Sequence, residues 1–252
     1  MADTDTQGIL YTATGAKYIR AAIQSAESVR KHSPGLSIHL NADWQDHGFD
    51  FSQSPDPFTS IESVVGPHRR SKVDYMVRTP FDRTLFLDTD TKLNADIRGV
   101  FQVLDRFDIA LCHAHTRNTH MRLKPWRNTL PDAFPQYNGG VILFKKTPAV
   151  MAFMDLWRRC FHEAGFLQDQ MTLRELLWES DLRIATLPPE YNVRFIKYHF
   201  MWNEREATSK IFHRRRYHDG PFWVVSWYAR RVGRRLARMG IAPSKWLPNA
   251  GK

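Results

Sequence analysis

Asp88 and Asp90 are the residues of this chain best placed to do chemistry. They close residues 81–91, FDRTLFLDTDT, in which the apolar run Leu85-Phe86-Leu87 gives way abruptly to carboxylates. A short apolar run bounded by polar residues reads as a buried strand. Its period of two sends Asp88 and Asp90 to one side and Thr89 to the other. Two carboxylates that close repel each other, and a divalent cation bridging them to an anionic ligand relieves the repulsion. The bland alternative is a capped loop at a strand end, and the tripeptide alone does not choose between the two. Asp3-Thr4-Asp5 is the same tripeptide in a polar amino terminus with no apolar run before it, and it reads as a solvated end.

The elements that must hold these carboxylates are legible on either side. Residues 8–12, GILYT, read as a first strand, and Thr12-Ala13-Thr14-Gly15 turns into a helix over 16–31 with Ile19, Ala22, Ile23, Ala26 and Val29 at helical spacing. Residues 36–40 read as a second strand. A β-α-β opening implies a parallel sheet, and its first loop falls at the carboxyl edge, where open α/β sheets bind ligands. That loop is neither a GxGxxG cradle nor a P-loop, so no dinucleotide fingerprint is present.

Further along, a short third strand is expected over 61–65. A helix opens at Arg69-Arg70-Ser71-Lys72 and runs to about Thr79, where Pro80 closes it. A short helix over 97–104 and a strand over 107–112 follow. Residues 113–136 lack clear periodicity, a loop long enough to be a functional lid or a variable surface. Tyr137-Asn138-Gly139-Gly140 introduces a strand over 141–146, and its paired glycines mark either a close backbone approach or an ordinary tight turn. An amphipathic helix over 148–161 precedes another that begins near Gln168-Asp169-Gln170 and runs to about Trp178; by residue type alone, Asp169 is a helix-start carboxylate. A strand over 183–187, the Pro188-Pro189 break and KIFH at 210–213 complete an α/β pattern.

Composition narrows the classes. The 252 residues suffice for one large α/β domain with a substantial core. No basic region followed by an apolar stretch opens the chain, and no apolar run is long enough to span a bilayer. Cys112 and Cys160 are far apart in apolar contexts, which suits buried thiols in a reducing cytosol. The net charge of +10 is unevenly spread: residues 1–209 carry 25 basic and 25 acidic side chains, and residues 210–252 carry 11 basic ones against Asp219 alone. A neutral body with a basic appendage is not a uniformly basic nucleic-acid binder, and no nucleic-acid partner is expected.

The order of these features resembles the GT-A type glycosyltransferases, in particular the group that includes glycogenin and bacterial lipopolysaccharide galactosyltransferases. The matching segments are ILYTATGAKYIRAAIQS, TPFDRTLFLDTDT, YNGGVILFKK, LQDQMTLRELL followed by LPPEYNVR, and KIFH, in the family's order over roughly residues 8–220. The resemblance implies a Rossmann-like, mixed but mostly parallel sheet flanked by helices over residues 1–213. It implies a metal-dependent transfer of a sugar, with retention, from a nucleotide-sugar, a UDP-sugar, to a glycan or glycolipid acceptor. Asp88, Asp90 and His213 would hold Mn²⁺ or Mg²⁺, and an imidazole in the set favours Mn²⁺; His218 is a rival for the third position. Thr12, Ala13 and Thr14 would hold the nucleotide, Lys72 or its competitor Arg78 the donor phosphates or sugar, and Asn138, Gly139 and Gly140 the donor sugar, with Thr89 also among the donor-binding residues. Asp169 and Gln170 resemble the pair that faces the reactive carbon. Arg214-Arg215-Arg216 stands where the glycogenin-like pattern has a glycine and then a lysine that grips the leaving phosphate, so one of these arginines would take that role.

The tail, residues 214–252, reads as a second unit. On a helix, Val225, Tyr228, Ala229, Val232, Leu236 and Met239 share one face, while Arg230, Arg231, Arg234, Arg235 and Arg238 lie opposite. That is the pattern of an interfacial helix on an anionic membrane or of a helix docked on the domain, and the first implies a cytoplasmic protein peripheral to the inner face of the cell membrane. Two other classes stay open at this stage. One is a sugar-1-phosphate nucleotidyltransferase, although TATGAKYIR is not its long glycine- and arginine-rich loop; the other is a non-enzymatic basic module that binds membrane or nucleic acid.

Overall fold

The computed structural model describes residues 5–52, 54–116, 124–195, 198–199, 202–203 and 205–214. Strand β1 (Gln7–Ala13), helix α1 (Ala16–His32) and strand β2 (Ser37–Ala42) form the expected opening, and β1 and β2 pair in parallel from Gly8↔Ser37 to Ala13↔Ala42. β3 (Ser60–Ser63) adds to β2 in parallel, and β4 (Arg83–Leu87) adds to the other side of β1 in parallel. β6 (Ile109–His113), β7 (Tyr137–Lys145) and β8 (Ile184–Leu187) complete a seven-stranded sheet in the order β3-β2-β1-β4-β7-β6-β8. β7 runs antiparallel to both its neighbours, β4 and β6, while β6 and β8 are parallel. A two-stranded sheet of β5 (Thr91–Leu93) and β9 (Ile211–His213) stands apart.

The central strands are apolar without interruption because both faces of the sheet are covered. Alternate residues enter two cores: Ile9, Tyr11, Leu85, Leu87, Val141 and Leu143 pack on one side with Ile19, Ala22 and Val29 of α1. Leu10, Phe86, Ile142 and Phe144 pack on the other with Phe153, Met154 and Trp157 of α3 (Pro148–Ala164) and Leu173, Leu176 and Leu177 of α4 (Gln170–Glu179). Each such fully buried side chain contributes roughly 1.5–3 kcal/mol relative to exposure. Cys112 and Cys160 are buried free thiols. Among the described residues no helix is long and apolar enough to cross a membrane.

Several boundaries differ from the sequence reading. The helix expected from Arg69 to Thr79 is one turn, α2 (Lys72–Tyr75), continued by a 3₁₀ turn over Met76–Arg78. The helix expected over 97–104 is a 3₁₀ segment, Arg98–Asp105. The YNGG segment lies inside β7 instead of preceding it, because Tyr137 pairs with His113 past a register shift in β6 and Asp88 N donates to Gly140 O at 2.8 Å. Part of the long loop is pinned down: the buried carboxylate of Glu175 accepts the backbone N–H groups of Trp126, Arg127 (2.9 Å) and Asn128 (2.8 Å). Arg215, Arg216, His218 and the amphipathic pattern over 225–239 lie outside the described residues, as does most of the division drawn at residue 214.

Candidate active site

The sheet's carboxyl edge, where β1 and β4 end, opens into a cleft of about 790 Å³, within the size range of ligand pockets. β4 stops at Leu87, so Asp88, Thr89 and Asp90 form a turn instead of continuing the strand. Thr91 N and Thr91 Oγ1 both donate to Asp88 O, at 3.1 and 2.8 Å. A relay fixes that turn to the core: Tyr11 hydroxyl to Ser25 (2.7 Å), Ser25 to Thr91 (3.0 Å), Thr91 to Asp88 O. Strand alternation ends with β4 at Leu87, and Thr89, itself buried, is among the residues that line the cleft with both carboxylates.

Pairing of β5 with β9 sets Thr91 opposite His213 and so delivers the histidine to the carboxylates from more than a hundred residues away. His213 Nε2 stands 3.1 Å from Asp90 Oδ1 and 3.5 Å from Asp88 Oδ2. Its Nδ1 is 2.7 Å from Asn192 Oδ1, so that nitrogen carries the proton and Nε2 faces the carboxylates; metal-bound histidines are oriented in this manner. The three ligand atoms lie within 4.8 Å of one another. Gly140 completes the seat, because a Cβ there would fall on Asp88 Oδ2 and His213 Cε1. Two carboxylates and one imidazole in a glycine-floored seat fit a divalent cation such as Mn²⁺.

Lys72 joins this seat to the other wall. Its ammonium lies 3.0 Å from Asp88 Oδ1, 3.2 Å from Asp169 Oδ2 and 2.7 Å from Gly139 O. Arg70 Nη1 is 3.7 Å from Asp169 Oδ1. Asp169 occupies the N-cap position of α4, yet its side chain makes no capping hydrogen bond and is spent on these two cations. Burial alone would lower the Lys72 ammonium, but Asp169 and then Asp88 outweigh it, and its pKa is raised. Burial would raise the Asp88 carboxyl, and Lys72 with His213 holds it well below the usual carboxylate range instead.

His213 is likewise pulled down by burial and pushed up more strongly by Asp90 and Asp88, so its folded pKa lies above the ordinary 6.5. A raised pKa means that, without an ion, the ring contributes stability that is fully present below pH 6.5 and is lost as pH rises through the folded value. An ion bound at Nε2 would have to displace the second proton, which the imidazolium carries on that nitrogen. Affinity for Mn²⁺ is therefore expected to climb about tenfold per pH unit from about pH 6 until the folded pKa is passed. Mn²⁺ titrations followed by electron paramagnetic resonance would show this, and a pH-independent affinity would contradict it.

The cleft collects most of the residues singled out in the sequence: Thr12, Thr14, Lys72, Asp88, Thr89, Asp90, Asn138, Asp169, Gln170 and His213 line it. Gly139 and Gly140 form the strand beneath, and Ala13 is buried in the core between its two threonines. Arg78 is not part of it: the 3₁₀ turn carries it out to Glu62 (3.6 Å) and over the Tyr75 ring. Arg70 lines the cleft in its place, as do Lys17, Tyr18, Asp43 and Arg194, none of which was selected from sequence. Asp43 accepts from Gly15 N at 2.8 Å and holds the first loop, where Gly15 takes φ +93°. Arg194 Nη1 is 3.1 Å from His213 Nε2, a further cation beside the carboxylates. Asn192 and Arg194 were within sight, since both belong to the YNVR segment. Thr12 Oγ1 and Gln170 Oε1 are buried with no protein partner, polar atoms of the kind that a ligand satisfies.

No family model matches the chain, and no curated protein sequence does. Solved structures do match. The galactosyltransferase LgtC, crystallised with donor and acceptor sugar analogues, superposes with a TM-score of 0.58 at 14% identity over 85% of this chain and 87% of that one. An active-site mutant of LgtC gives 0.57 at 15% identity over 82% and 86%. The glycosyltransferase GlyE of Streptococcus pneumoniae TIGR4 gives 0.54 at 16% identity over 82% of this chain and 54% of that one. At such identities the likeness is one of architecture, and the chain has the mixed, mostly parallel GT-A fold of these glycosyltransferases.

Proposed function

We propose that this chain is a glycosyltransferase that moves a sugar, with retention, from a UDP-sugar to a glycan or glycolipid acceptor in the presence of Mn²⁺. The observation that carries this reading is the convergence of Asp88, Asp90 and His213 on one point of the cleft that also holds Lys72 and Asp169. Asp88, Asp90 and His213 would hold the ion, which when bound offsets the negative charge that a diphosphate gains as its bond to sugar breaks.

The protein's own groups divide the remaining work. Arg194 and Lys72 present fixed cations to the leaving diphosphate, in a site that needs no reorganisation as charge develops. Asp169 is ion-paired with Lys72 and Arg70, whereas the neutral Gln170 has no such pairing, and its Oε1, like Asp169 Oδ2, is buried without a hydrogen-bond partner. The Gln170 amide oxygen is thus the group free to face positive charge at the anomeric carbon, and Asp169 keeps the two cations in register. Thr12 and Thr14, on the loop braced by Asp43, are placed to hold the nucleotide.

The test is a screen of nucleotide-sugars with and without Mn²⁺, reading melting temperature and hydrolysis, followed by magnetic resonance of the product's anomeric proton. A donor at 100 times its Kd adds about 2.7 kcal/mol, a shift of several degrees for a domain of this size. If no UDP- or GDP-sugar raises the melting temperature in the presence of the ion, the assignment fails.

A further inference from the structure

We propose that His68, Asp74 and His162 form a second cation site, which takes a transition metal of borderline softness, Zn²⁺ in first place, and ties the cleft wall bearing Arg70 and Lys72 to α3. The three residues come from separate elements: His68 from the turn before α2, Asp74 from α2, and His162 from the last turn of α3. They share no residue with the Asp88, Asp90 and His213 set, and the proposal does not rest on the transferase reading.

The geometry is that of a ligand set. Each oxygen of Asp74 meets one imidazole: Oδ1 lies 2.7 Å from His162 Nε2, and Oδ2 contacts His68 Nε2. The two rings meet edge to face, 5.3 Å apart between centres, and one nitrogen of each lies within 4.8 Å of the carboxylate and of the other. Two imidazoles and a carboxylate are the three-protein-ligand set that leaves a fourth tetrahedral position to water, and imidazole donors favour Zn²⁺, Ni²⁺ and Cu²⁺ over Mg²⁺ or Ca²⁺. Ligand atoms around a tetrahedral ion stand roughly 3.3 Å apart, so the two short contacts need only a small opening. These side chains are 35%, 23% and 48% exposed, which leaves them free to rotate and open to an ion from solvent.

The site also has a purchase on the cleft. His68 O accepts from Thr14 Oγ1 at 3.3 Å, His68 N donates to Ser71 Oγ at 2.8 Å, and Asp74 shares its one-turn helix with Lys72. Without an ion, His68 Nδ1 accepts from Arg70 N at 3.2 Å, which puts the ring proton on Nε2. Coordination through Nε2 transfers that proton to Nδ1 and releases the Arg70 amide, so occupancy is coupled to the backbone of a residue that faces Asp169.

The experiment uses the tag-free full chain carrying Asp90→Asn, to weaken the other cation site, and titrates it with Zn²⁺ by calorimetry and with Co²⁺ by visible absorption. One equivalent of each is expected to bind, with the d–d bands of a tetrahedral Co²⁺ centre. Adding His162→Ala or Asp74→Asn is expected to weaken binding more than about 100-fold, since even a group one step removed from a metal is worth 10–100-fold. His162→Cys restores a ligand, and is expected to recover binding and add a thiolate charge-transfer band. Circular dichroism on the metal-free variants checks that each is folded. The proposal is overturned if the Asp90→Asn chain binds no Zn²⁺, or if its Zn²⁺ affinity is unchanged by both His162→Ala and Asp74→Asn.

Discussion

Asp90→Asn is expected to lower Mn²⁺-dependent kcat/KM by about 10³-fold, roughly 4 kcal/mol of transition-state stabilisation, and to leave the fold in place. The substitution keeps size and shape and removes only the charge, so the seat at Asp88, Asp90 and His213 loses an anionic ligand for a neutral one that binds a hard cation poorly. The fold tolerates this because Asp90 sits in a turn, with its side chain 38% exposed, and His213 retains Asp88 at 3.5 Å. Because the buried His213 keeps Asp88 as its partner, the metal-free melting temperature is expected to fall by only a few degrees, about 2–4 °C for each 1 kcal/mol lost. Turnover at saturating Mn²⁺, an ion titration and a thermal scan together make the measurement. Activity within tenfold of the parent would remove Asp90 from the ion's ligands, and with it the principal support for the transferase reading.

The parts of this site that were legible beforehand are those with a local signature. β1, α1 and β2 announce themselves through apolar periodicity, and Asp88 and Asp90 through the abrupt end of an apolar run. What eluded the sequence follows from geometry that no local pattern encodes. The period of two that sets side-chain direction ends with β4 at Leu87, so it does not govern how Asp88, Thr89 and Asp90 stand in the turn that follows. Glycine has no side chain to show alternation, so YNGG looked like a prelude to β7 instead of its first half. The reversal of β7 within a parallel sheet depends on which strands it reaches and leaves no mark of its own. Arg70 and Arg78 are both cations near the start and end of one short helical stretch; only the shortness of α2 and the 3₁₀ turn after it decide that one faces Asp169 and the other Glu62. Asn192 and Arg194 are brought to His213 by Val193, which donates to Ile211 O and accepts from His213 N, contacts between residues distant in pattern though quoted in the same motif.

Gly140 and Gly139 allow the metal and the reacting sides of the cleft to be separated. Adjacent residues of a strand face opposite ways, and here the two faces meet different groups. A Cβ at Gly140 would land on Asp88 Oδ2 and on His213 Cε1, and 2.8 Å from Asp88 Cγ, whereas one at Gly139 would stand 2.7 Å from Asp169 Oδ2 and 3.6 Å from Lys72 Nζ. His213 cannot retreat: it is fully buried, its Nδ1 is held by Asn192 at 2.7 Å, and its backbone is paired with Thr91. Asp88 must give way instead, although Lys72 holds it at 3.0 Å, and its carboxylate swings out of line with Asp90. Gly140→Ala is therefore expected to weaken Mn²⁺ binding about 100-fold, comparable with losing a ligand's supporting group, and to destabilise the chain by about 1–3 kcal/mol through overpacking. Gly139→Ala should bind Mn²⁺ like the parent and lose turnover, because it displaces the Asp169 carboxylate that keeps Lys72 and Arg70 in place. Ion titrations and kinetics on the two variants decide the matter. Equal Mn²⁺ affinity in both would mean that Asp88 Oδ2 and His213 do not form the seat, and that the ion, if one binds, sits elsewhere in the cleft.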